Sequence, residues 1–113
     1  MDRTVIEGRR PFAELLADRK GLLDEPRYAE QVMAIVAALT LAFRNGNKVL
    51  WFGNGGSAAD AQHLAAEFSG RFLRERGGLP SEALTVNTSA VTAISNDFGY
   101  EQVFARMVEA LAK

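Results

Sequence analysis

The sequence predicts an α/β fold in which parallel strands are layered with helices. Three observations carry that expectation. Behind Lys48, the run Val49-Leu50-Trp51-Phe52 is continuously apolar with no alternation, the pattern of a strand covered on both faces in a parallel sheet. A glycine-rich turn, Gly53-Asn54-Gly55-Gly56-Ser57, follows at once and opens a helical stretch. A second short strand at Ala83-Leu84-Thr85-Val86 leads into further helix. Alternation of strand and helix is the signature of crossovers onto a parallel sheet.

The elements follow in order. Pro11-Phe12-Ala13-Glu14-Leu15-Leu16 suggests a short helix ending by Gly21, and Asp24-Glu25-Pro26 supplies an acidic helix start with Pro in the first turn. Over residues 27–44 the apolar positions Tyr28, Val32, Ile35, Val36, Leu39 and Phe43 recur at steps of three and four, which is helical periodicity. Met33, Ala37 and Leu41 form a second apolar stripe; a helix apolar on two sides is covered on two sides, here by the chain itself or by another subunit. Asn45-Gly46-Asn47 stops that helix. After the glycine turn a long helix is expected over residues 58–72, then a mobile surface loop over 73–80. Thr88-Ser89 caps a helix over 90–95, Asn96-Asp97-Phe98-Gly99 makes a turn, and a last helix over 101–112 places Val103, Met107 and Leu111 on one side. Two strands do not make a stable sheet buried on both faces, so the 113 residues read as part of a larger α/β domain or as a piece completed by a partner chain.

Composition narrows the function classes. The chain carries 13 Lys+Arg against 14 Asp+Glu and is 48% hydrophobic, too apolar and too nearly neutral for a disordered tail. It lacks the basic excess that non-specific nucleic-acid binding requires. With no cysteine there are no disulfides, thiolate metal sites or cysteine nucleophiles, which suits a reducing cytoplasm. Met1-Asp2-Arg3-Thr4 leads into no apolar signal region, and the longest apolar-rich stretch, residues 32–43, is too short to cross a bilayer. The expectation is a soluble, intracellular domain.

The chemistry centres on the glycine turn and the helix leaving it. Glycines between a strand and a helix allow positive φ and close approach of a ligand to the backbone. The helix start presents unpaired N–H groups and partial positive charge to an anion, and Asn54 and Ser57 add polar side chains. The plainer reading is a tight turn with Ser57 as N-cap, for which one glycine suffices. No Lys follows the glycines, so this is not a Walker A loop. Gly53-x-Gly55-x-x-Ala58 meets the looser dinucleotide fingerprint, but the next strand ends in Val86-Asn87-Thr88 without the acid that holds a ribose. Asp60, His63, Glu67 and Arg71 follow at steps of three, four and four and line one helix face. His63 and Glu67 can share a metal ion or act as acid and base; equally, Glu67 and Arg71 can be an ordinary surface ion pair beside a solvated His63. A closed zinc site needs four ligands, so ligands beyond His63 and the carboxylates would come from elsewhere. Asn96-Asp97-Phe98-Gly99 contains the letters of a kinase magnesium motif without the catalytic loop, and is not read as one. It is a helix-ending turn, from which Asp97 can reach a crevice at the strand ends.

These stretches together resemble one family. Lys48-Val49-Leu50, Gly53-Asn54-Gly55-Gly56-Ser57, Asp60-Ala61-x-His63, Ala66-Glu67-x-x-Gly70-Arg71, Asn96-Asp97-Phe98-Gly99-Tyr100 and Phe104-Ala105-Arg106 match, in order, the phosphoheptose isomerase branch of the SIS (sugar isomerase) family, from about Tyr28 to Lys113. The resemblance implies a flavodoxin-like α/β fold in a cytoplasmic homotetramer with active sites at subunit interfaces and the helix of residues 27–44 packed between subunits. It implies conversion of sedoheptulose 7-phosphate to D-glycero-D-manno-heptose 7-phosphate, toward lipopolysaccharide, with a sugar phosphate as the partner and no direct role for nucleic acid or membrane. Asn54, Gly55, Gly56 and Ser57 then fall on substrate-binding positions, Asn96 and Asp97 on a substrate-contacting stretch, and Arg71 on the phosphate side. Glu67 matches the catalytic carboxylate, and His63 with Glu67 matches a zinc-binding pair seen in some members. Moving a carbonyl from C2 to C1 needs such a base, and a positive or hydrogen-bonding partner for the developing oxyanion. The family continues with a third strand, a Ser/Thr-rich phosphate loop and a late helix bearing a second His and a Gln, none of which is in this sequence. The expectation is therefore a single partial SIS domain over residues 1–113, with 1–25 as a helical extension, inactive alone. The resemblance also admits a non-enzymatic relative that associates with the replication initiator DnaA, or a sugar-phosphate-binding module; Glu67 and Gly55-Gly56 favour the enzyme.

Overall fold

Strand β1 (Val49–Trp51) pairs in parallel with β2 (Ser81–Ala83), with Val49 opposite Ser81, Leu50 opposite Glu82 and Trp51 opposite Ala83. The computed structural model describes residues 12–112. In chain order the elements are α1 (Phe12–Leu23), α2 (Pro26–Arg44), β1, α3 (Gly56–Ser69), β2, a 3-10 turn (Leu84–Val86), α4 (Thr88–Phe98), a second 3-10 turn (Tyr100–Gln102) and α5 (Val103–Leu111). The expected start of the first helix at Pro11, with the rest of residues 1–11, lies outside the described residues. The chain divides into two units, Met1–Ala38 and Leu39–Lys113.

The second unit has the layers that the unalternated strand calls for. Successive side chains of a strand point to opposite faces. Trp51 accordingly packs with Ala61 and Ala65 of α3 and Ala83 of β2, while Leu50 packs on the other face with the cluster of Leu84, Val103 and Met107. Helix α3 covers one side of the sheet, and α4 and α5 supply the other through Ala90, Val91, Ile94, Phe104, Val108 and Leu111. Leu84 and Val103 are fully buried. The indole Nε1 of Trp51 donates to Ser81 Oγ at 2.9 Å, so its one polar atom is satisfied within the packed face. Among the described residues the sheet has these two strands.

The first unit holds α1 and the larger part of α2. Pro26 stands at the first position of α2, where its missing N–H would be unpaired anyway. Helix α1 runs through Gly21 to Leu23, past its expected stop. Here Asp24 N–H donates to Lys20 O and Glu25 N–H to Leu22 O, closing the last turn. No residue of α2 is buried, and Val32, Met33, Ile35 and Leu41 are each more than half exposed. Gly46, with φ 74°, ends α2 as its sequence requires. Among the described residues, no helix is long and apolar enough to cross a membrane.

Several boundaries differ from the sequence expectation for identifiable reasons. The second strand occupies Ser81–Ala83 rather than 83–86, and Leu84–Val86 turns in 3-10 form. Beyond Ala83 the β1 ladder has run out, so the β-branched Thr85 and Val86 have no neighbour to pair with. Helix α4 begins at Thr88 and is capped by Asn87, whose Oδ1 accepts from Ala90 N at 3.0 Å, in place of Thr88-Ser89. It continues through Asp97 to Phe98 and stops at Gly99, φ 90°. The last helix starts at Val103 after a 3-10 turn, and its expected apolar side is confirmed by Val103 and Met107, both buried.

Candidate functional site

The glycine turn is built by two separate demands. Gly53, two residues beyond β1, lies against the first turn of α3: a Cβ there would stand 2.6 Å from Ser57 Cβ, so glycine permits the close approach of the segment leaving the strand to the helix. Gly55 is the N-cap of α3 at φ 56°, ψ −121°, a region open to glycine alone among ordinary residues. Gly56 answers neither demand. Its φ is not positive and a Cβ would meet nothing within 4 Å, so the fold leaves open space at the helix entrance without needing it. Ser57 is not the N-cap; it lies one residue inside the helix, and its N–H, with those of Ala58 and Ala59, is taken by the carbonyls of Asn54 and Gly55.

Asn54 is held from a distance. The phenol of Tyr100, at the start of the second 3-10 turn, donates to Asn54 Oδ1, and the Tyr100 ring packs edge-on against Phe104, centroids 6.4 Å apart. Sequence reasoning assigned Tyr100 no role, because nothing local signals a bond across 46 residues. Asn96 Nδ2 donates to Asp97 Oδ1 at 3.0 Å on the last turn of α4. Of that stretch it is Tyr100 whose side chain meets the glycine turn.

At the other end of α3, His63, Leu64, Glu67, Phe68, Phe72 and Arg76 line an open cleft of about 450 Å³. The His63 imidazole is largely exposed, and Glu67 is half-buried. His63 Nε2 lies 3.2 Å from Glu67 Oε1. Two ligands of a tetrahedral zinc, each about 2.0–2.1 Å from the ion, stand about 3.3 Å apart, so these atoms fit two corners of such a set. Among the described residues no third His, Cys, Asp or Glu joins them.

Helix α3 ends at Ser69, three residues before its expected limit. Arg71 is therefore off the helical face, and it pairs with Glu75 at 3.1 Å instead of with Glu67. Phe72 likewise leaves the sheet-facing stripe and is 69% exposed, whereas Ala61 and Ala65 are buried and Phe68 stacks on Trp51 at 5.7 Å. Gly70 is the C-cap of the helix, its N–H donating to Ala66 O at 2.8 Å, and Arg76 braces that end. Its guanidinium donates to the carbonyls of Glu67 at 2.8 Å, Phe68 at 2.9 Å, Gly70 at 3.3 Å and Gly77 at 2.9 Å, satisfying last-turn acceptors and placing a cation at the negative end of the helix. Leu79 N–H also donates to Phe68 O and Ser69 Oγ to Ser81 O. The loop expected to be mobile is tied back onto α3. Glu67 stands ten positions after Ser57 along α3, about 15 Å of helix rise. The turn thus lies at the start of α3, and the cleft along its second half and beyond.

A family model described as SIS domain matches residues 20–113. The chain belongs to the SIS domain family. Similar SIS relatives include the phosphoheptose isomerase of Roseiflexus sp., 62% identical over 85 residues, covering 75% of this chain and 43% of that protein. That of Aquifex aeolicus is 57% identical over 84 residues, 74% of this chain and 44% of that protein. Among solved structures, a phosphoheptose isomerase from Francisella tularensis superposes with a TM-score of 0.72 at 34% identity, covering 88% of this chain and 50% of that one. One from Neisseria gonorrhoeae gives 0.61 at 40% identity, with 88% and 53% covered. The α/β expectation with a small parallel sheet and preceding helices thus holds as part of an SIS fold. The chain spans less than half the length of the two sequence relatives named.

Proposed function

We propose that this chain forms part of a phosphosugar isomerase that converts sedoheptulose 7-phosphate to D-glycero-D-manno-heptose 7-phosphate, a precursor of lipopolysaccharide, in the cytoplasm. The observation that carries this reading is the His63–Glu67 pair in an open cleft, in a chain that is 62% identical over 85 residues to a protein named phosphoheptose isomerase. Glu67 is the base: its carboxylate lifts the proton beside the ketose carbonyl and returns it to the neighbouring carbon of the enediol. His63, whose Nε2 lies 3.2 Å from Glu67 Oε1, orients that carboxylate, and in its protonated form the other ring N–H donates to the oxygen where charge develops. Asn54, Gly55, Gly56 and Ser57 hold the sugar phosphate, with Asn96, Asp97 and Arg71 as further substrate contacts.

Zinc, where bound, would be held by His63 and Glu67 with its remaining ligands from outside the described residues, and would supply Lewis acidity to a sugar oxygen. The exposed apolar residues of α2 support assembly as a homotetramer. The separation of turn and cleft along α3 supports a complete site that draws on more than one copy.

The test is conversion of the ketose phosphate by the full-length protein, followed by NMR, with Glu67→Gln as the variant. Loss of base catalysis should lower the rate by about a hundredfold or more while ligand affinity persists. A Glu67→Gln rate within about tenfold of the parent, about 1.4 kcal/mol of barrier, would exclude Glu67 as the base.

A further inference from the structure

We infer that Tyr100 is a positioning residue for substrate binding, acting through Asn54. This deepens the isomerase reading, on which it rests for the identity of the ligand. Asn54 sits between Gly53 and Gly55 in a turn exposed to solvent, where a carboxamide rotates freely unless something holds it. The Tyr100 phenol is that constraint: it donates to Oδ1. A carboxamide has one acceptor oxygen and one NH₂ group with two donors. With the oxygen engaged by Tyr100, the group left for a ligand is Nδ2, a donor.

The neighbouring groups have the same polarity. Among the described residues the amides of Gly55 and Gly56 have no backbone acceptor, and the space over Gly56 is open. Tyr100 therefore turns Asn54 into one more donor in a turn that already offers donors, which suits an oxygen-rich acceptor such as the phosphate or carbonyl of a sugar phosphate. The rest of Tyr100 is anchored independently, since its ring meets Phe104 edge-on and Phe104 in turn packs on Phe52, centroids 4.9 Å apart. The hydroxyl is thus separable from the packing, and Tyr100→Phe removes one and keeps the other.

The experiment measures binding of sedoheptulose 7-phosphate, and separately of inorganic phosphate, by calorimetry on the full-length protein, with turnover assayed in parallel. The parent, Tyr100→Phe, Asn54→Ala and the double variant are compared. Loss of one orienting hydrogen bond should weaken sedoheptulose 7-phosphate binding about three- to tenfold with kcat within about twofold and the melting temperature little changed. In the Asn54→Ala background the second substitution should add nothing, because the two residues act as a unit. An unchanged Kd in Tyr100→Phe, or a full additional loss in the double variant, overturns the inference, as does a parent that binds neither ligand. Turnover by the parent with an unchanged Kd in Tyr100→Phe sinks the role of Tyr100 and leaves the isomerase standing. Binding that responds to Tyr100→Phe in a parent without turnover does the reverse.

Discussion

Among single residues, the three glycines of the turn separate what folding requires from what a ligand requires. Gly55→Ala places a side chain at φ 56°, ψ −121° and should destabilise the protein by about 1–3 kcal/mol. Gly56→Ala meets no atom within 4 Å and replaces glycine in a helix, so it should be neutral to about 1 kcal/mol stabilising, yet weaken sugar-phosphate binding by filling the open space. Urea midpoints set beside ligand titrations decide this; equal affinity in Gly56→Ala would show that the space is not a ligand's. The sequence alone displayed three glycines where a turn needs one, and so pointed to the place. Which glycine is surplus depends on the distance from Gly53 to Ser57 Cβ and on the sign of φ, neither of which a string of letters contains. Glu67 and His63 were legible because four residues make one turn of helix. Their distance from the glycine turn was equally implicit in α3, but a motif scan reads order and not length.

At the level of elements, the C-terminal end of α3 depends on Arg76. Four backbone carbonyls share its guanidinium, and Glu67 is one of them, so the residue proposed as base sits in the turn that Arg76 closes. Arg76→Ala should lower stability by about 0.5–1.5 kcal/mol, the net range of a typical hydrogen bond, because the carbonyls it serves are open to water. Arg76→Lys should recover part of it, since an ammonium has three donors but no planar fork. Denaturation midpoints test this, and an Arg76→Ala protein as stable as the parent would show that water serves those carbonyls equally well. Helix periodicity, the strand with two covered faces and the Gly46 stop were all readable, because each is set by near neighbours. The bounds of α3, the cap of α4 and the short β2 were not. Gly70, the cap of α3, lies inside a run whose helical spacing continues to Phe72, Asn87 precedes a Thr-Ser pair with equal capping credentials, and Leu84–Val86 has strand-like side chains but no ladder to join.

For the whole molecule, the long helix α2 carries the assembly expectation. Its apolar residues Met33 and Leu41 are 64% and 62% exposed; if the proposed tetramer forms through them, the double variant Met33→Glu/Leu41→Glu should sediment as a smaller species than the parent while leaving the second unit's core intact. An unchanged sedimentation coefficient would place the interface elsewhere. The two three-residue strands have a parallel consequence. Each has a single neighbour among the described residues, so the outer flank of each presents amide and carbonyl groups ready to template another strand. A solution of the 113-residue chain by itself should therefore turn turbid on warming in proportion to its concentration, by edge-to-edge growth that a longer partner sheet would block.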